Sequence, residues 1–154
     1  MISTNTLSIS ALLTEERICV RLDSAEKEAA IDEIVDTLDG ASEVIDLDQL
    51  RADVHAREAV MSTGVGNGLA LPHTRTSAVL DTLIAFAITE APIDFDAIDG
   101  KPVRLIFLLV GPENERGSHV RLLGRISRLM AIATFREQVS KAESAEEVIQ
   151  LFEE

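Results

Sequence analysis

The chain lacks tryptophan and tyrosine altogether and has five phenylalanines among 154 residues, so any core it forms is mainly aliphatic. Cys19 is its only cysteine, which excludes a disulfide within the chain. Set between Ile18 and Val20, it reads as a buried, inert thiol and not as a redox or metal group. Positive charge is scarce too: 14 Lys and Arg stand against 27 Asp and Glu, a net charge of −13. A nucleic-acid binder needs a basic footprint, so that class is excluded. The acidity fits neutral or basic partners, and it is also what a salt-adapted host produces. No apolar run approaches the roughly 20 residues that cross a bilayer, and no basic segment leads into an apolar core at the N-terminus. The expectation is a soluble, cytoplasmic protein without direct membrane insertion. Three histidines and one cysteine, without ligand spacing, give no sign of a metal site, and no cofactor is implied.

What the chain does have is periodicity. Its length suits one domain with a sizeable core. Residues 1–14 are small and polar, with one helical turn near Ile9–Leu13. Glu16 to Leu22 alternates, which places Ile18, Val20 and Leu22 on one side of a strand. Asp23 with Glu26 has the spacing of a capping box for a helix carrying Ile31, Ile34, Val35 and Leu38, and Gly40 closes it. Asp46 with Gln49 opens a second helix, with Leu47, Leu50, Val54 and Met61 on one face.

Thr82–Thr89 is a second strand, and Ala91–Gly100 a loop whose Asp94 and Asp96 are turn formers. Val103–Val110 is nearly all apolar, the mark of a central strand covered on both faces. Ser118 is placed to cap a helix with Leu122, Leu123, Ile126, Leu129 and Met130 inside, and Arg121, Arg125 and Arg128 on a solvated side. Thr134 with Glu137, and Ser144 with Glu147, open two further short helices, the last buried through Ala145, Val148, Ile149 and Phe152. Strands alternating with helices indicate an α/β domain, a sheet with helices on both faces.

One stretch stands apart: Met61-Ser-Thr-Gly-Val-Gly-Asn-Gly-Leu-Ala-Leu-Pro-His73-Thr-Arg75. Alternating glycines (Gly64, Gly66, Gly68) mark backbone that takes positive φ or lets another group come close, which admits a small-nucleotide cradle. The third glycine of a dinucleotide fingerprint is missing, because position 69 is leucine, and no phosphate-loop Gly-Lys-Ser/Thr follows. Leu69–Leu71 reads as a short strand that Pro72 ends, leaving His73 at a strand exit. Two further residues fit no bland pattern. Arg57 falls three residues after Val54 and four before Met61, so the spacing puts a guanidinium on an apolar stripe. His119 falls in the first turn of the helix after the central strand, where a helix dipole favours a nearby anion. His55, sharing a face with Arg51 and Glu58, is expected on a solvated side with no function. A neutral imidazole is a good nucleophile toward phosphorus, and arginine supplies forked donors for phosphoryl charge, so His73, His119 and Arg57 are compatible with phosphohistidine chemistry.

The run Ser62–His73, the Arg57-Glu58 pair sixteen residues before the histidine, Pro92–Pro102 and the segment ending at His119 together resemble the enzyme IIA proteins of the bacterial phosphoenolpyruvate-dependent phosphotransferase system. The resemblance is to the fructose/mannitol class, which includes the nitrogen-regulatory enzyme IIA, and it covers nearly the whole chain. It implies a single domain over residues 1–154 with a mixed β-sheet between helices. It implies that His73 accepts phosphate from HPr or a paralogous phosphocarrier, with His119 bonding the phosphate or fixing the ring and Arg57 neutralising charge. Ser62, Thr63, Gly66, Asn67, Gly68 and Thr74 would form the phosphate's surroundings. The acceptor would be an enzyme IIB in sugar transport, or regulated partner proteins in the nitrogen branch, which the Pro92–Pro102 loop favours. Monomer and dimer both remain open.

Overall fold

The computed structural model describes residues 8–153. Its centre is an antiparallel pair of long strands, β5 (Leu83–Ile93) and β6 (Val103–Gly111), both buried along most of their length. β1 (Ile18–Leu22) adds in parallel to β5. Three short strands, β2 (Gly64–Gly66), β3 (Leu69–Ala70) and β4 (His73–Arg75), build the other side: β3 and β4 both run parallel to β6, and β2 pairs antiparallel with β3. The order is β1-β5-β6-β3-β2, a mixed six-stranded sheet.

Helices cover both faces, as expected. α2 (Lys27–Asp36) and α3 (Leu47–Val60) close one layer over Leu22, Ile31, Ile34, Leu50, Val54 and Phe95. On the other side α1 (Ile9–Leu12), α4 (Arg116–Met130), α5 (Ala133–Ser140) and α6 (Ala145–Phe152) cover Ile18, Phe86, Phe107 and Leu122. Four of the five phenylalanines are spent there: Phe86, Phe107, Phe135 and Phe152 meet with ring centroids 5.0–5.9 Å apart, the tilted and edge-on geometry that aromatic quadrupoles prefer. Residues 1–7 of the predicted N-terminal loop lie outside the described residues; the helical turn follows at Ile9–Leu12, capped by Ser8.

Several expectations give way to a competing local effect. Ile18 and Val20 face the phenylalanine layer, but Leu22 lies in the opposite one, because pairing slips from Cys19–Ala87 to Leu22–Thr89. A one-residue slip turns a side chain to the other face. Asp23 caps nothing: α2 begins at Lys27 after Glu26, while Glu33 reaches back to the amides of Asp23 and Ser24. Ser118 and Thr134 lie inside their helices, which start after Glu115 and Ile132 without side-chain caps. Asp46 and Ser144 do cap, accepting from the amides of Gln49 and Glu147. β5 runs on through Pro92 to Ile93, past an irregularity between Ile88 and Ile93 where a missing N–H is tolerated.

Candidate active site

His73 is positioned by β6. Leu69 and Ala70 pair with Leu105 and Ile106, and His73, Thr74 and Arg75 with Leu109, Val110 and Gly111, in one continuous register. Pro72 does not end the ladder, contrary to expectation; it only interrupts it, and its carbonyl accepts the Leu109 N–H at 3.0 Å. His73 therefore stands at the start of a resumed strand, half-buried. Its Nδ1 lies 2.6 Å from the carbonyl oxygen of Leu71. A carbonyl can only accept, so Nδ1 carries a proton, and in the neutral ring Nε2 holds the lone pair. The ring is thus held in one tautomer with its far nitrogen nucleophilic.

His119 packs beside it, with ring centroids 6.0 Å apart at 47°. It sits in the first turn of α4, buried, its amide bonded to the Glu115 carbonyl. Burial chiefly, then the neighbouring charge of His73 and Arg75, push its pKa down to about 4, so the imidazole is neutral at pH 7. Its Nδ1 is buried with no hydrogen-bond partner. An orphaned N–H costs more than a bare lone pair, which places the proton on Nε2. Gly111 lies against the ring: a Cβ there would stand 3.4 Å from His119 Nδ1 and 3.5 Å from Thr82 Oγ1.

Arg75 is the cation that sequence reasoning missed. It alternates with His73 along β4, so both side chains leave the same face of the strand. It is exposed, it donates from Nη1 to the Glu113 carbonyl at 3.1 Å, and it is close enough to His119 to lower that ring's pKa. The period-two rule, applied from His73 forward, is the signal that could have found it.

Arg57 is not on the buried stripe. The buried residues of α3 are Leu50, Val54 and Glu58, and Arg57 is half-exposed at the helix end, donating to the Met61 carbonyl at 3.3 Å. Met61 itself is 68% exposed. The anomalous charge on the inner face is Glu58, against the expectation of a solvated side. Its carboxylate takes the Thr63 amide at 2.8 Å, the Thr63 hydroxyl at 2.6 Å and Lys27 Nζ at 3.0 Å. His55 does lie apart, bonded to Asp32 at 2.7 Å.

The expected phosphate surroundings are largely used elsewhere. The Ser62 hydroxyl donates to the Phe95 carbonyl and accepts from the Gly64 amide. The Thr63 hydroxyl belongs to Glu58, and Thr74 leaves β4 on the face opposite His73, its hydroxyl directed to the Arg75 carbonyl. Gly66, Asn67 and Gly68 form the far tip of the β2–β3 hairpin: the Gly68 carbonyl bonds the amides of Arg104 and Leu105, at the opposite end of β6. At about 3.3 Å per residue, five residues put Gly68 roughly 16 Å along the strand from His73. Positive φ at Gly66 (101°), Asn67 (58°) and Gly68 (76°) turns the hairpin, and the Asn67 amide binds Asp99 at 3.1 Å. Gly64 is needed because a Cβ would lie 2.8 Å from Ala97. Gly64 and Gly66 seat the Asp94–Gly100 loop, so their backbone is not free to cradle a nucleotide.

Fold and site together define a three-layer α/β domain that presents a pair of histidines at one end of its central strand. The chain belongs to the family described as phosphoenolpyruvate-dependent sugar phosphotransferase system, EIIA 2, whose model matches residues 11–154. It is 34% identical over 145 residues to the fructose-specific EIIABC component of Bacillus subtilis, covering 94% of this chain but spanning only 23% of that protein. It is 32% identical over 145 residues to a nitrogen regulatory protein of Pseudomonas aeruginosa, covering 94% of each. The crystal structure of nitrogen regulatory protein IIA-Ntr from Neisseria meningitidis superposes with a TM-score of 0.87 at 33% identity, covering 94% of this chain and 98% of that one. Among the described residues no helix is long and apolar enough to cross a membrane.

Proposed function

We propose that the protein is a phosphocarrier that works through a phosphohistidine at His73. The observation that carries this reading is the bond from His73 Nδ1–H to the Leu71 carbonyl, which leaves Nε2 as the nucleophile. In the forward step the Nε2 lone pair forms a bond to phosphorus while the bond from phosphorus to the donor breaks, the donor atom keeping its electron pair. Transfer onward reverses the roles, with the acceptor's nucleophile displacing Nε2. His119 stays neutral, so it donates one hydrogen bond to a phosphoryl oxygen without protonating the nucleophile beside it. Arg75, and Arg57 from the end of α3, supply positive charge to a group that gains about two negative charges.

Family membership supports HPr or a paralogous phosphocarrier as the donor and the cytoplasm as the compartment. The acceptor is a set of regulated proteins or an enzyme IIB. Regulation is favoured by the match to nitrogen regulatory proteins over nearly the full length of both chains. The sugar-transport reading draws on the fructose-specific relative.

Incubation with phosphoenolpyruvate, enzyme I and HPr should give acid-labile phosphate on the wild type and none on His73→Ala. Labelling that persists in the folded variant would overturn the proposal. A chase with a fructose-type enzyme IIB separates the two branches: phosphate retained supports regulation, and phosphate lost to IIB supports transport.

A further inference from the structure

We infer that Glu58 is a positioning residue for His73, acting through Thr63 and Leu71 with Lys27 as its counter-ion. The inference rests on the phosphocarrier reading for its catalytic consequence, not for its geometry.

A carboxylate 5% exposed is costly unless it is paired and hydrogen-bonded. Glu58 meets that condition with three donors, two from Thr63 and one from Lys27, whose side chain is itself 13% exposed. Lys27 is anchored in turn: Nζ lies 3.5 Å from the Phe95 carbonyl and 5.2 Å from the centre of the Phe95 ring. The pair therefore fixes Thr63 by both its main chain and its side chain. The Thr63 carbonyl accepts the Leu71 N–H at 3.0 Å, and the Leu71 carbonyl accepts His73 Nδ1–H at 2.6 Å. An unbroken run of contacts thus leads from a buried charge to the reactive ring.

The coupling is geometrical. The N–H and C=O of one residue belong to different peptide planes, so what passes along the run is the placement of Thr63 and Leu71, not polarisation. If Thr63 drifts, the Leu71 carbonyl loses its hold on Nδ1, the ring regains both tautomers, and Nε2 presents its lone pair only part of the time. Pro72 adds rigidity next to that carbonyl by fixing its own φ. The local sequence explains the arrangement: α3 ends at Val60, and Met61 and Ser62 turn the chain back so that Thr63 faces the last turn of the helix that carries Glu58.

The test uses two perturbations and one rescue. Lys27→Met with Glu58→Leu removes both charges together and leaves Thr63 unanchored. Thr63→Val removes one of the two bonds to Glu58 and keeps the ion pair. Thr63→Ser restores the hydroxyl. The readouts are the ¹⁵N shifts of the His73 imidazole, which report the tautomer without any phosphate, and the rate of phosphate uptake from phosphorylated HPr. The first two variants are expected to show mixed tautomers and slowed uptake, by about a hundredfold where the ring is misplaced by an ångström; Thr63→Ser should match the wild type. A folded double variant or Thr63→Val with the wild-type tautomer and rate would sink the inference, as would Thr63→Ser behaving like Thr63→Val. If the double variant does not fold, Thr63→Val decides. Should the wild type itself take no phosphate, the phosphocarrier reading falls, and the ¹⁵N shifts still decide the positioning.

Discussion

Gly66, on β2, and His73, on β4, are seven residues apart on the same side of the sheet, and the chain uses them for opposite purposes. Around Gly66 the backbone takes positive φ, a second loop closes over it, and polar groups such as Asp99 serve only to bond amides. Around His73 the backbone is ordinary extended strand, and the unusual features are in the side chains: one tautomer fixed, a second imidazole held neutral, an arginine on the same face. The glycine end makes the hairpin; the histidine end uses it. An unusual run of residues is therefore not one site because it is contiguous.

The comparison can be broken most sharply by His73→Ala. All phosphate uptake should vanish, while stability falls by no more than about 1.5 kcal/mol, the net worth of the one hydrogen bond lost. Gly66→Val should do the reverse. A φ of 101° is strained for any side chain, which would cost about 1–3 kcal/mol in a urea melt, with the folded fraction still labelled normally. Equal losses of labelling and stability in either variant would erase the distinction.

A finer test uses pH. His119 titrates at about 4 in the folded protein against an ordinary value of 6.5. Between those values the unfolded chain binds a proton that the native ring refuses, so the ring's contribution to stability is complete above pH 6.5 and is lost as pH falls toward 4. Urea midpoints between pH 7 and 4.5 should fall less steeply for His119→Gln than for the wild type, and the variant's phosphate uptake should drop by up to about a hundredfold. The smallest effect is expected from Arg75→Ala: uptake slowed several-fold, and the His119 pKa, followed by NMR, moved upward as a neighbouring cation is removed. No movement would place Arg75 outside the site.

Much of the fold and site is legible in the sequence because it depends on long, regular patterns. β6 announces itself as an uninterrupted apolar run, the Asp46 and Ser144 caps by their spacing, and His119 by following a central strand into a helix. What escapes depends on single-residue phase. Arg57 and Glu58 differ by about 100° around α3, and the helix turns so that the acid, not the base, faces inward. β2 and β3 hold three and two residues, too few to show a period. The slip between Cys19 and Leu22 moves one leucine across the sheet, and nothing local to either residue encodes it. Arg75 is hidden because its partner on that face is two residues back, while the conspicuous glycines lie on the other side of His73.

The close fit between Gly111 and His119 carries an evolutionary consequence. A Cβ at position 111 would stand 3.4 Å from the imidazole and 3.5 Å from Thr82 Oγ1, ordinary contact that alanine can make, whereas the branches of a larger side chain would run into both groups. Lineages that carry a branched residue at 111 should therefore be those that have also changed 82 or 119, while alanine there should appear beside either residue unchanged.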